Sequence, residues 1–206
     1  TQGYASSATC TPSRYALLTG TYPWKEKKAR ILPGTAPLII DTTQMTLPKM
    51  LKQQGYETAV IGQWHLGTGK VDWNNHSTPG PNEVGFDYSY IMAATQDRVP
   101  TVYIENGYVD GLDTSDPIEI SYQKNFEGQP TGKNNPELLS MMWHHGHNSS
   151  IVNGIPRIGF MKGGDSAKWS DIDMADHFLN KVKLYVKSKK EKPFFLYYGM
   201  QQPHVP

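Results

Sequence analysis

The order of apolar and polar positions predicts a helix followed by a strand in the first third of the chain. Thr46 is placed to cap a helix that stops at Gly55, because a threonine can satisfy free N–H groups and glycine suits the end of a helix. The run ETAVI at 57–61 then predicts a short buried strand. The loop that follows it, GQWHLG, carries a histidine.

A second helix–strand pair is predicted near the end of the chain. Residues 170–187 have the spacing of an amphipathic helix, with a capping box at Ser170 and Asp173. Its predicted apolar stripe consists of Ala175, Phe178, Leu179, Val182 and Val186. Pro193 leads into the apolar strand FFLYY, and the loop GMQQPHVP again carries a histidine. Two such pairs predict an α/β fold whose functional site lies at the strand ends.

The remaining segments give weaker signals. Thr11 and Pro12 before SRYALL predict a helix capped by Thr11, which places Cys10 beside the positive end of that helix. Residues 68–150 are rich in Gly, Pro, Asn and Asp, and predict long loops. Within them, Asn106-Gly107 marks a hairpin turn in TVYIENGYV.

Composition narrows the class of protein. The 206 residues suffice for one large domain, and a formal net charge of +1 gives no attraction to nucleic acid or to anionic membranes. No apolar run approaches the ~18 residues that span a bilayer. The single cysteine cannot form an internal disulfide. The chain starts at TQGYASSATC and stops at QQPHVP, and we expect it to be a piece of a longer protein.

Four segments resemble the type I sulfatases. Cys10, Pro12, Ser13 and Arg14 stand in the order C-x-P-S-R and are followed by LTG, as in that family's first signature. GYETAVIGQWHLG resembles the second signature, and KPFFLYYGMQQPHVP resembles the segment that presents another active-site histidine. NGIPRIGFMKGGDSAKW is similar to bacterial carbohydrate sulfatases. The resemblance implies that residues 1–206 are a partial catalytic domain with an alkaline-phosphatase-like α/β/α sandwich and a mixed, mostly parallel sheet.

The resemblance also implies the chemistry. In that family the cysteine is oxidised to formylglycine by a maturation enzyme, so Cys10 would become the nucleophile and a calcium ligand. Hydrated formylglycine is a geminal diol: one hydroxyl attacks sulfur, and the other can later eject sulfate and restore the aldehyde. Arg14 would steady the formylglycine, His65 would be the base for sulfate release, and His204 would protonate the leaving group.

Two further positions are candidate substrate-binding residues. Gln63 stands where the family most often has a lysine that touches sulfate, and glutamine keeps a hydrogen-bond donor without the charge. Thr95 matches a position where relatives place a small hydroxyl residue near the sulfate. The substrate implied is a sulfate ester, on a small molecule or an oligosaccharide.

The family's calcium site and location lead to two expectations. The other calcium ligands are aspartate and Asp-Asn pairs that would lie outside these 206 residues, so we expect the chain alone to have little activity. The family also implies a periplasmic or secreted full-length protein.

Other interpretations remain open. The chain is also compatible with a phosphonate or phosphate-ester hydrolase of the same superfamily, with a binding protein, or with a fragment in which Cys10 stays unconverted. WHHGHN offers His145 and His147 to a zinc ion, but no cysteine or H-E-x-x-H spacing supports this. We prefer a loop that lines the substrate pocket.

Overall fold

A mixed five-stranded sheet forms the centre of the computed structural model, which describes residues 2–69, 72–189 and 191–204. The strands of the described residues are β1 Glu57–Gln63, β2 Tyr88–Met92, β3 Tyr103–Glu105, β4 Tyr108–Val109, β5 Glu119–Ser121, β6 Ile151–Val152, β7 Ile155–Pro156, β8 Phe160–Lys162 and β9 Phe194–Gly199. The central sheet has the order β4-β3-β2-β1-β9. β1 pairs in parallel with both β2 and β9, whereas β3 and β4 add antiparallel strands at one edge.

Helices cover this sheet on both faces, which confirms the predicted α/β architecture. The α-helices are α1 Cys10–Thr19, α2 Leu47–Gln53, α3 Pro81–Val84 and α4 Met174–Ser188. Short 3-10 helices occupy Pro23–Lys25, Pro136–Leu138 and Asp165–Ala167. None of the helices in the described residues is both long and apolar enough to cross a membrane.

Side chains point alternately to the two faces of the sheet, and this divides the core into two layers. On β1, Val60 packs in one apolar cluster with Leu18 of α1, while the next residue, Ile61, packs in another with Phe178 of α4. Successive side chains of a strand point to opposite faces, so a central strand that is covered on both sides is apolar throughout. Burial of nearly all of β1 follows from this arrangement.

Two predictions for the first half of the chain are confirmed. The Thr46 side chain accepts a hydrogen bond from the Lys49 N–H at the start of α2. The hairpin turn lies at Asn106 and Gly107, between β3 and β4, and both residues have positive φ. Asparagine and glycine tolerate this backbone region, which is why the pair marks the turn in the sequence.

Two predicted helix starts are wrong. α1 begins at Cys10 with Thr9 as the preceding cap residue, and the Thr11 hydroxyl instead donates to the backbone oxygen of His65 at 2.7 Å. α4 begins at Met174, so Ser170 and Asp173 form no capping box. In both cases a tertiary contact or an irregular segment replaces the local cap.

The predicted stripe of α4 was also shifted. Leu179 and Val186 are exposed, whereas the buried side chains are those of Met174, Phe178 and Tyr185. Tyrosine shares the buried face because its ring packs on Tyr88 and Phe194. Phe178 of the predicted stripe is buried and Val182 packs against the same cluster, so the apolar pattern found part of the buried face and missed Met174 and Tyr185.

The loop-rich middle contains a core strand that the sequence analysis missed. β2 lies between β1 and β3, and four of its five residues are buried. Beyond it, the side chain of Arg157 is fully buried and pairs with Asp171 at 2.5 Å. The Arg157 guanidinium also donates to the backbone oxygens of Gln96 and Val152. These bonds fix the loops that carry the residues after β2.

Candidate active site

The carboxyl ends of β1, β2 and β9 meet at one edge of the sheet, where the start of α1 also lies. His65 follows β1 by two residues, and its backbone N–H continues the pairing by donating to the oxygen of Ala93, just after β2. His204 follows β9, the parallel neighbour of β1 on its other side. The structure thus confirms that the two histidines follow neighbouring strands.

Cys10 and His65 are in direct contact. The sulfur of Cys10 lies 3.0 Å from Nδ1 of His65, and Nε2 of the same ring lies 2.8 Å from the backbone oxygen of Leu32. A carbonyl oxygen only accepts, so Nε2 carries the proton and Nδ1 presents its lone pair to residue 10. The imidazole is therefore oriented as a proton acceptor toward the side chain of Cys10.

His65 is held in the neutral form. Its ring is buried, and this burial lowers its pKa to about 4, with the charges of Arg98 and Arg14 acting in the same direction. The hydrogen bond to Leu32 and the charge of Asp97 oppose the shift without cancelling it. A neutral ring keeps its Nδ1 lone pair at neutral pH, as a general base requires.

Arg14 lies one turn into α1. Among the described residues it forms no hydrogen bond with Cys10. One guanidinium nitrogen, Nη1, donates to the backbone oxygen of Gln63 at 2.6 Å and to the hydroxyl of Tyr197 at 2.8 Å. Arg14 and Tyr197 nevertheless line, together with Cys10, a surface cavity of about 340 Å³. The positive charge of Arg14 therefore lies beside the predicted nucleophile, and hydrogen bonds to β1 and β9 hold it there.

Close approach of β1 and β9 makes room for this arginine. A Cβ on Gly199 would lie 2.8 Å from the Arg14 guanidinium and 2.7 Å from the oxygen of Gln63. A Cβ on Gly62 would lie only 2.1 Å from the oxygen of Gly199. Both positions admit only a residue without a side chain.

Gln63 ends β1 with its side chain almost completely buried. Its amide nitrogen, Nε2, has no hydrogen-bond partner among the described residues. Leaving a buried amide donor unpaired costs about 1–3 kcal/mol. Such a donor is suited to a hydrogen-bond acceptor such as an anion.

Thr95 lies in the loop after β2, but its hydroxyl is engaged with protein groups. It donates to the carboxylate of Asp97 and accepts from Nη1 of Arg98 at 2.5 Å. Thr95 therefore reaches the site as part of a polar cluster with Asp97 and Arg98, which the sequence analysis did not identify. The available signal was a pair of adjacent charges, Asp97 and Arg98, two residues after an apolar run.

Asp97 connects this cluster to both histidines of the site. Burial alone would raise its pKa, but hydrogen bonds from Thr95 and His147, the charge of Arg98 and the electrostatic effect of His204 lower it overall. Asp97 is thus an ionised carboxylate in a buried position. Its charge acts on His65 and His204, which places it beside the candidate nucleophile.

The zinc interpretation of WHHGHN has no support in the described residues. The two ring nitrogens of His147 bind His144 and Asp97. The described part of the chain contains no group of three or more His, Cys, Asp or Glu placed to hold a metal. Calcium needs several oxygen ligands, so the described residues alone do not fit a calcium site either.

The described residues form an α/β protein in which one edge of the sheet places Cys10, at a helix start, against a buried and neutral histidine. A model of the sulfatase family matches residues 1–206, the whole chain. The chain therefore belongs to the sulfatase family.

Individual relatives agree with this assignment. The chain is 53% identical to an N-acetylgalactosamine-6-O-sulfatase of Bacteroides thetaiotaomicron, over 100% of this chain and 41% of the relative. It is 38% identical to human steryl-sulfatase over 48% of this chain and 18% of that protein. The chain thus spans less than half the length of these relatives.

Solved structures show the same fold. A B. thetaiotaomicron protein from a study of the metabolism of multiple glycosaminoglycans superimposes with a TM-score of 0.96 at 53% identity. That match covers 98% of this chain and 43% of the other. The solved structure described as Ps i-CgsB, at 21% identity and a TM-score of 0.53, shares the fold.

Proposed function

We propose that the full-length protein hydrolyses sulfate monoesters on a carbohydrate through a formylglycine made from Cys10. One observation carries the proposal. The Cys10 side chain lies at the start of a ten-residue helix and faces the lone pair of a buried, neutral His65. A helix start favours an anion such as a sulfate ester, and the lone pair can accept a proton from a hydroxyl on residue 10.

Each site residue has a role in this mechanism. One hydroxyl of hydrated formylglycine gives its proton to solvent and forms a bond to sulfur, and the bond from sulfur to the ester oxygen breaks. His204 supplies the proton that the leaving oxygen takes. His65 then removes the proton from the second hydroxyl, so the carbonyl re-forms as the bond to sulfate breaks.

Positive charge and hydrogen-bond donors would stabilise the transferring group. Arg14, fixed by Gln63 and Tyr197, contributes charge beside residue 10. The unpaired amide of Gln63 is available to a sulfate oxygen. In this family, calcium would act as a Lewis acid that stabilises negative charge on the transferring group. We propose that most of its ligands come from outside residues 1–206. Because the described residues do not form such a site, we assign no step to the metal.

The substrate class follows from the B. thetaiotaomicron relative. At 53% identity over the whole chain, its activity makes N-acetylgalactosamine 6-O-sulfate the first candidate substrate. We further propose a periplasmic or secreted location, as expected for the family. The second candidate function is phosphonate or phosphate-ester hydrolysis, because a site for one tetrahedral anion can accept another.

The test uses the full-length protein coexpressed with a formylglycine-generating enzyme. Peptide mass spectrometry should show formylglycine at residue 10. The protein should release sulfate from N-acetylgalactosamine 6-O-sulfate faster than from the 4-O-sulfate and faster than it cleaves aryl phosphonates. A Cys10→Ala variant is the matched control and should be inactive. Unmodified cysteine in the coexpressed protein, or preference for the phosphonate, would overturn the proposal.

A further inference from the structure

A line of hydrogen bonds runs from the exposed loop at His144 to the buried carboxylate of Asp97. The backbone N–H of Gly146 donates to Nδ1 of His144 at 3.1 Å. Nε2 of His144 lies 2.6 Å from Nδ1 of His147, and Nε2 of His147 lies 2.8 Å from Oδ2 of Asp97. His144 is exposed, His147 is half-buried and Asp97 is buried, so the line leads inward.

The backbone of Gly146 fixes the direction of every bond in this line. A backbone N–H can only donate, so Nδ1 of His144 must accept and the neutral ring carries its proton on Nε2. That proton is donated to Nδ1 of His147, which leaves the proton of His147 on Nε2. The second ring therefore donates to Asp97, an ionised carboxylate that accepts. Protonation of either ring would place two N–H groups against each other and break one link.

The two oxygens of Asp97 have separate partners. Oδ1 accepts from Thr95 and, at 2.9 Å, from Nη1 of Arg98, whereas Oδ2 accepts from His147. The bond from His147 therefore fixes the rotation of the carboxylate, and the carboxylate in turn holds Arg98. Arg98 and Asp97 are, with Arg14, the groups whose charges act on His65.

We propose that His144 is a positioning residue, because the bond from its Nε2–H holds the ring of His147 against Asp97 and thereby holds Asp97 and Arg98 beside the catalytic residues. The proposal rests on the sulfatase function proposed above for its effect on catalysis. It extends that function by assigning a role to an exposed side chain. Among the described residues, His144 forms no hydrogen bond with Cys10 or His65.

The first readout needs no substrate. Nitrogen NMR of the imidazoles in the 206-residue chain should show the Nε2–H tautomer for both His144 and His147. In His144→Ala, Nε2 of His147 should keep its proton, because the Asp97 carboxylate still accepts from it. The Nδ1 signal of His147 should shift, because that nitrogen loses its protein donor, and the Nε2 proton should exchange faster with water as the ring becomes less fixed. His145→Ala is the matched control in the same loop. Its ring packs on His144 but makes no hydrogen bond within the described residues, so this variant should leave the hydrogen bonds of His147 unchanged. An Nδ1–H tautomer at His147, or no change in His144→Ala, would overturn the proposal.

The second readout is turnover by the full-length protein. Losing one such hydrogen bond should lower kcat/KM about 5- to 10-fold in His144→Ala. His144→Gln can restore an N–H donor toward His147 and should recover activity to within about twofold of the parent. Unchanged kcat/KM in His144→Ala, despite the lost hydrogen bond at Nδ1 of His147, would show that the line has no positioning role. Failure of every sulfate ester would instead contradict the proposed function and leave the NMR result intact.

Discussion

At the scale of single residues, the site combines a neutral base with an unpaired donor. His65 presents a lone pair to Cys10 because burial lowers its pKa and Leu32 takes the proton on the other nitrogen. Gln63 contributes a buried amide nitrogen without a protein partner. The unpaired amide lowers the stability of the folded chain, whereas the buried histidine lowers it only below about pH 6.5. Both are useful to a reaction on an anion.

We predict that Gln63→Leu stabilises the chain while weakening anion binding. Leucine has a similar volume and leaves no buried donor unpaired, so the free energy of unfolding should rise by about 1 kcal/mol. Affinity for inorganic sulfate should fall about fivefold, because one hydrogen bond is lost. Urea denaturation and calorimetric titration measure the two effects.

The matched control for this change is Gln53→Leu on the exposed surface of α2, which should alter neither quantity. A loss of stability in Gln63→Leu would show that the glutamine amide is satisfied in solution, contrary to the structure.

We predict that the stability of the unconverted chain falls as the pH drops from about 6.5 to about 4 through His65. The pKa of a histidine is 6.5 in an unfolded chain, and that of His65 is lowered to about 4 in the folded chain. Within this window the unfolded chain binds the extra proton and the folded chain does not, so acid favours unfolding. The full effect amounts to about 3 kcal/mol at 1.36 kcal/mol per pKa unit.

The measurement is urea denaturation at several pH values for the parent and for His65→Gln. The difference between the two curves should vary across pH 4–6.5 and be constant above it. His145→Gln, in an exposed loop, should follow the parent. If the stability of the parent and of His65→Gln changed equally with pH, His65 would not be a buried neutral histidine.

At the scale of elements, the parallel pairing of β1 with β9 brings the two histidine loops to one edge and clamps Arg14. The pairing requires a backbone approach that only glycine permits at position 62, where φ is +106°. Element boundaries are set by the same contacts: the Thr11 hydroxyl joins α1 to the backbone of His65 instead of capping its own helix.

We predict that Gly62→Ala destabilises the chain by at least ~2 kcal/mol more than Gly55→Ala. Both glycines have positive φ, so both substitutions carry the backbone strain of about 1–3 kcal/mol. At Gly55 nothing lies within 4 Å of the new Cβ, whereas at Gly62 it meets the oxygen of Gly199 at 2.1 Å. Overpacking against backbone adds the further cost.

Urea denaturation of the two variants isolates the close contact, because the φ strain is common to both. Equal losses would mean that β1 and β9 do not approach as the structure shows.

At the scale of the whole molecule, the described residues hold the nucleophile candidate and both histidines but no group fit for a metal. The sheet edge gathers residues from α1, β1, the loop after β2 and the loop after β9. Negative charge that builds on sulfate oxygens would have Arg14, Arg98 and a helix start to oppose it, and a helix dipole contributes only ~0.3–2 kcal/mol.

We predict that the 206-residue chain, with Cys10 converted and calcium in excess, hydrolyses an aryl sulfate at least ~1,000-fold more slowly than the full-length protein. A divalent cation supplies several kcal/mol to such a transition state, and 1.36 kcal/mol corresponds to a factor of ten. The B. thetaiotaomicron relative, cut to the segment that this chain matches, should lose a comparable factor. Turnover of the 206-residue chain within tenfold of the full-length protein would show that its own residues replace the expected ligands.

The sequence by itself determined the family, the α/β class and the position of the catalytic candidates. Short motifs such as C-x-P-S-R encode local chemistry, and apolar runs such as those of β1 and β9 encode buried strands. Tertiary structure alone decided that Met174 and Tyr185 join the buried face of α4, that β2 belongs to the core, and that Arg14 binds Gln63 and Tyr197. It also decided that Asp97, Arg98 and His147 join the site. These outcomes depend on contacts between residues distant along the chain, and such contacts leave no periodic or local signal in the sequence.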